Sequence, residues 1–323
     1  MWEEIRMYGN QGNHRPHRGR FRWEHLALAV VCTALVIVGG VKLFGYIGEL
    51  ISAITASGEL RQVYYSEPTT VPAAATEAPS PPAVLPTLAP SPSATAAPAV
   101  TDVLQLDKVS YPGNPDLKIN RRFKALRKEN KDIIGWLSMN TLLDEPVMQR
   151  DETYYMDHDV LGKPNVNGAL FLDSDISLKT RPYSLVIYGH NMKTGAMFGC
   201  LRNYENISFY HNHPFIALET IYEEGHYVIF AVGCVSTEPR SRHHVDFFAL
   251  HSTDYLERKR VIDALISASV HSCAVDVRPE DQLLLLVTCT EKDSDRRMVA
   301  ARRIREEEDE AQLKKLVEKT WKK

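Results

Sequence analysis

One stretch limits what the rest of the chain can become. Leu26 to Val41 is a run of sixteen residues without a charge. As helix it spans ~24 Å, short of the ~30 Å hydrocarbon core of a bilayer. Lys42 interrupts the run, but Leu43 to Gly48 continues it to 23 residues, and a lysine there can extend its stem toward the headgroups. Arg6, Arg15, Arg18, Arg20 and Arg22 precede it against Glu3 and Glu4. That bias keeps the N-terminus in the cytoplasm. A cleaved signal peptide has a shorter apolar region closed by a small-residue site; this run is longer and no clean site follows. Residues 1–25 are therefore read as a basic cytoplasmic tail and 26–48 as a single-pass transmembrane anchor. Everything beyond is placed on the extracellular side of the cell membrane.

Composition shifts again after the anchor. Nine of the 18 prolines lie between Glu67 and Ala99, among Ala, Ser and Thr. Such a tract buries no apolar side chains and favours extended polyproline II, so it could reach roughly 100 Å. Residues 49–101 are read as a Pro/Ala-rich stalk. Residues 102–305 are then the head, about the size of one domain, and 306–323 a helical extension.

The head reads as mostly β. Short apolar runs are separated by turn residues, with candidate strands at Gly168–Leu172, Ser184–Tyr188, Tyr227–Gly233, Asp246–Leu250, Leu283–Thr288 and Met298–Ile304. Many short strands suggest a sandwich or barrel. Asp116–Glu129 shows helical spacing through Ile119, Phe123 and Leu126. Asp254–Ala268 is a second helix, with Ser252 or Thr253 as its cap and Tyr255, Ile262, Leu265, Ile266 and Ser269 on one face. From Glu306 to Trp321 acidic residues come early and lysines late, the order a helix dipole favours.

A formal net charge of −3 argues against a general nucleic-acid binder. The five cysteines, Cys32, Cys200, Cys234, Cys273 and Cys289, form no C-x-x-C pair, which argues against a zinc ribbon or thioredoxin-type site. Cys200, Cys234 and Cys273 suit packing. His211 and His213 form an H-x-H pair that lacks a third ligand of convincing spacing, so no metal or other cofactor is called for.

Cys289 is different. It stands where Leu283–Thr288 gives way to a polar loop, at a position both rigid and reachable. A thiol is nucleophilic as the thiolate and needs a proton-accepting or cationic neighbour. If the next strand pairs antiparallel, its Arg297 folds back toward Cys289 and could stabilise an oxyanion. On local pattern alone, this also describes a structural cysteine and a surface arginine. Among twelve histidines, His190 ends the apolar segment SLVIYGH beside a glycine-containing turn, a suitable place for a general acid–base.

Three segments together resemble a known family. YGHNMKTGAMFGCL (Tyr188–Leu201) looks like the histidine motif of class B sortases. LLVTC (Leu285–Cys289) resembles their T-L-x-T-C motif, with leucine in place of the first threonine. Arg297 with the following MVAAR resembles their arginine at the head of the last strand. The segments NKDIIGWLSM, EPVMQRDETYYMDHD and GALFLD, and the helix before the cysteine strand, agree with the same pattern. The resemblance runs from about Asn114 to Ile304.

It implies an eight-stranded sortase-type β-barrel with an N-terminal helical segment, an inserted helix and a C-terminal helix. It also implies a cysteine transpeptidase of a Gram-positive cell surface. Cys289 would attack the threonine carbonyl of a C-terminal sorting signal, His190 would protonate the departing amine, and Arg297 would hold the peptide. The partners implied are a surface-protein or pilin sorting signal, and a peptidoglycan precursor or pilin lysine as acceptor. Thr290, Thr288, Tyr188 and Asn191, which neighbour these residues, are the candidate substrate contacts. Two rivals are a cysteine peptidase that uses water and a non-catalytic tethered scaffold or adhesin.

Overall fold

The apolar run is helical, and the helix continues past the end of that run. The computed structural model describes residues 23–67, 105–290, 292 and 294–323, which fall into two units, one ending at Gly48 and one running from Glu49 to Lys323. Helix α1 (Trp23–Ser66) belongs to both. In the first unit its apolar side chains are exposed, and the segment is long and apolar enough to cross a membrane by length and composition. The basic tail at 1–22 and the proline-rich residues 68–104 lie outside the described residues.

Residues 49–66 correct the expected domain boundaries. They are helix, not stalk, and their stripe Ala53, Ala56, Leu60 and Tyr64 is buried in the second unit. Tyr64 explains why. Its ring stacks on Trp136 at 4.3 Å and its hydroxyl donates to Glu219 Oε2 at 2.6 Å. Arg61 adds an ion pair to Asp144 at 2.9 Å. The helical spacing was present in the sequence; the proline tract further on hid it.

After α1 come α2 (Arg121–Glu129), β1 (Ile133–Ser138), β2 (Asp144–Met148), β3 (Leu170–Leu172) and β4 (Ser184–Tyr188). Next are α3 (Ile207–Asn212), β5 (Phe215–Thr220), β6 (Glu224–Ser236), α4 (Tyr255–Ala268) and β7 (His271–Ser272). The chain ends with β8 (Leu283–Cys289), β9 (Asp295–Arg303), α5 (Glu310–Val317) and β10 (Trp321–Lys322). Eight strands close into a barrel in the order β1-β2-β3-β4-β8-β9-β6-β5. The mostly-β barrel, the N-terminal helical segment, the inserted helix and the C-terminal helix are all present.

Several local expectations change. The first helix of the head begins at Arg121, capped by Asn120, rather than at Asp116. Strands β1, β2 and β5 add to the expected strands, and β2 contains Pro146, a residue that argues against a strand. Asp246–Leu250 is not a strand. Its end is a 3-10 turn, Phe248–His251, which leaves the Leu250 carbonyl to accept from Arg258 at 3.1 Å. Helix α4 is capped by the Asp254 side chain, not Ser252 or Thr253. Its buried face is Arg258, Val261, Ile262, Leu265 and Ala268, while Ile266 is 41% exposed. The C-terminal helix is shorter than expected, because the chain leaves α5 to pair β10 with β7.

Arg258 is the unexpected member of that face. It is 1% exposed, and its guanidinium makes five hydrogen bonds. Nε donates to Pro279 O, Nη1 to Ser184 Oγ and Leu250 O, and Nη2 to Tyr183 O and Asp281 O. Burial pulls its pKa down to about 10, which leaves it charged at neutral pH. Ser184 opens β4, and Pro279 and Asp281 lie just before β8, so one side chain pins the starts of two neighbouring strands. Arg258→Lys keeps the charge but cannot reproduce the fork. It is expected to destabilise by about 3 kcal/mol and to lower the melting temperature by roughly 6–12 °C, measured by thermal melts of the full chain in detergent.

Candidate active site

Strand β8 runs parallel to β4 on one side and antiparallel to β9 on the other. The β4 register pairs Ser184 with Leu283 and continues to Tyr188 with Val287. His190 and Cys289 each lie two residues beyond that last pair. Cys289 ends β8 and His190 follows the end of β4, so the two stand level at one rim. Helix α4 packs on the barrel through Arg258 and Ser184. Cys289 is exposed.

The imidazole is held in a defined way. Its Nε2 lies 2.6 Å from the Met156 carbonyl. A carbonyl only accepts, so Nε2 carries the proton and Nδ1 is the basic nitrogen of the neutral ring. Gly168 makes room for this contact. It sits at φ +58°, and a Cβ there would meet Met156 O at 2.8 Å and His190 Cδ2 at 3.0 Å. The loop after His190 is tied to the cysteine strand, since Asn191 Nδ2 donates to the Cys289 carbonyl at 3.0 Å.

The cation is placed differently. Arg297 pairs with Thr288, and Arg296 pairs with Cys289. By alternation Arg296 shares the thiol's face of the sheet, and Arg297 projects to the opposite face. There its Nε and Nη2 donate to Glu205 Oε1 at 3.3 and 2.6 Å. His190 and Cys289 lie at the same rim, and the Arg297 guanidinium is turned to Glu205. Among the described residues, neither the imidazole nor that guanidinium hydrogen bonds to the sulfur. Arg296 was passed over in the sequence; the doublet Arg296–Arg297 was the available signal.

The candidate substrate contacts divide. Tyr188 is half-buried on the thiol face, its hydroxyl donating to Asp173 Oδ2 at 3.1 Å. Burial and the Asp173 carboxylate push its phenol up, opposed by the charge of Arg296. Asp173 also lies 3.8 Å from His251 Nε2, and neither residue was singled out from sequence. Thr288 is 2% exposed on the inner face, away from where a peptide could touch it. Asn191 spends its amide on backbone rather than facing outward. Thr290 closes the β8–β9 loop by donating from Oγ1 to Lys292 O.

Cys200, Cys234 and Cys273 sit in packing positions. Burial pushes the Cys200 thiol up to about 11 and raises that of Cys234, the latter opposed by the nearby Arg297. Cys273 contacts the Tyr210 hydroxyl and Thr320. His211 and His213 each turn a ring nitrogen to a backbone carbonyl, Thr320 O and Phe209 O.

No family model matches the chain. It is, however, 31% identical to the sortase B of Listeria monocytogenes over 198 residues, 58% of this chain and 75% of that one. The chain belongs to the class B sortases. A sortase B of Staphylococcus aureus is 28% identical over 180 residues, 55% of this chain and 71% of that one. Among solved structures, Bacillus anthracis sortase B in complex with AAEK2 superposes with a TM-score of 0.58 at 20% identity, covering 80% of this chain and 98% of that one. A Staphylococcus aureus sortase B–substrate complex gives 0.51 at 25% identity, covering 58% and 87%. This class B sortase therefore shares the barrel of its relatives and belongs to a family of transpeptidases.

Gly168→Ala is expected to displace the Met156 carbonyl from His190 and to lower peptide turnover at least tenfold while the chain still folds. Steady-state assays beside thermal melts test this.

Proposed function

We propose that this sortase cleaves a C-terminal sorting signal after threonine through a thioester on Cys289, and transfers the protein to an amine. The supporting observation is the level placement of His190 and Cys289 at the ends of two parallel strands. Cys289 Sγ attacks the threonine carbonyl, and His190 Nδ1 takes up the thiol proton. The tetrahedral oxyanion collapses, the C–N bond breaks, and the imidazolium protonates the departing amine. An incoming amine then attacks the thioester, gives its proton to His190, and restores the thiol. A peptidoglycan precursor or a pilin lysine fits the acceptor role, and no step requires a metal or other cofactor.

A guanidinium neutralises the oxyanion and holds the peptide. Resemblance assigns this to Arg297. The ladder favours a second candidate, Arg296, because it is Cys289's cross-strand partner. The backbone N–H of Thr290 is a further candidate donor by adjacency. Tyr188 and Asp173 form part of the floor on which an extended peptide would lie. Under the same reading, the apolar part of α1 spans the cell membrane with the arginine-rich tail in the cytoplasm. That topology confines the enzyme to the surface that bears its tethered substrates and raises effective concentration.

Mass spectrometry of the full chain in detergent, mixed with candidate sorting peptides, should show an acyl adduct on Cys289. Cys289→Ala should lose it, while Cys200→Ala and Cys273→Ala should keep it. Added amine should convert the adduct to transfer product. Hydrolysis alone in the presence of amine would instead identify a peptidase. Of the two arginines, the one that serves the oxyanion should cost at least a hundredfold in acylation rate when changed to glutamine.

A further inference from the structure

The 3-10 segment Phe198–Glu205 follows the His190 loop directly. Residues three apart eclipse in such a turn, so it presents distinct rows. Phe198, Leu201 and Tyr204 form one, each 0% exposed. Gly199, Arg202 and Glu205 form another. Its two charged members point at different parts of the site. Arg202 Nη2 donates to Met192 O and, at 3.3 Å, to Asn191 Oδ1, while its Nε donates to Gly199 O. The same Asn191 amide grips the Cys289 carbonyl. Glu205 holds the Nε–Nη2 edge of Arg297. Gly199 lets the segment sit this close, since a Cβ there would lie 2.1 Å from Met192 O.

From this we infer that Arg202 and Glu205 form a brace that positions the reacting groups: Arg202 sets the His190 loop against Cys289 through Asn191, and Glu205 fixes the Arg297 guanidinium at the rim. The inference rests on the proposed reading of Cys289, His190 and Arg297. A guanidinium is a rigid planar fork. With one edge on Glu205, its Nη1 edge stays available, and among the described residues Nη1 makes no hydrogen bond. Glu205 therefore trades one pair of donors for a fixed direction of the remaining ones. Arg202 and Glu205 are positioning residues; neither has to touch substrate.

The test compares acylation of Cys289 by a sorting peptide with its alkylation by iodoacetamide in the full chain. Glu205→Ala should slow acylation at least tenfold and leave alkylation within twofold. Glu205→Asp should restore much of the rate. In an Arg297→Gln background, Glu205→Ala should change nothing further. Arg202→Ala should slow acylation at least fivefold, and its effect should not add to that of Asn191→Ala. Should an alanine variant not fold, Glu205→Gln and Arg202→Gln carry the same comparison. Acylation at the wild-type rate in these variants, or a Glu205 loss that persists undiminished without Arg297, would overturn the brace. If Cys289→Ala still forms the product, the reading of the site fails instead, and that experiment separates the two.

Discussion

Strands β4 and β8 run in the same direction, and this puts His190 and Cys289 at one rim of the barrel. Parallel neighbours need a long crossover between them, and here it carries β5, β6 and α4. What fixes the pair is at its far end. Arg258 takes the carbonyls of Tyr183, Pro279 and Asp281 and the hydroxyl of Ser184. With both starts held by one guanidinium, the register that pairs Ser184 with Leu283 and Tyr188 with Val287 carries His190 and Cys289 to the same rim. A slip of one residue would move the thiol to the other face of the sheet. The inserted helix thus does more than cover apolar surface, since it supplies the residue that sets the register.

The rim has a division of charge that local sequence could not convey. Two consecutive arginines on β9 must face opposite sides of the sheet. Arg296 goes to the thiol face, where its charge acts on the Tyr188 phenol. Arg297 goes to the opposite face and meets a carboxylate from a different element. The carboxylate sits 92 positions away in sequence, so nothing in RRMVAARR announces it. Partners of this kind separate the motif, which names residue types, from the site, which needs directions.

Much of the architecture was legible. The apolar run, the strands β4, β8 and β9 and the helix before the cysteine strand follow from hydrophobic pattern alone, and three separated motifs identified the family. The errors have specific causes. Residues 49–66 were absorbed into a stalk by composition, although Ala53, Leu60 and Tyr64 keep helical spacing. Asp246–Leu250 has strand-like residues, but its backbone serves Arg258 instead of a ladder. Thr288 and Asn191 were assigned to substrate by nearness in sequence; one faces the core and the other grips main chain. Chain neighbours on a strand are the residues least able to share a face.

The continuation of α1 into the catalytic body changes the meaning of the proline-rich tract. Its flanks, Ser66 on one side and Gln105 on the other, belong to the same unit, and Gln105 is bridged to Asp254. Lengthening or shortening the tract would alter the loop it closes, at a free-energy cost that grows only logarithmically.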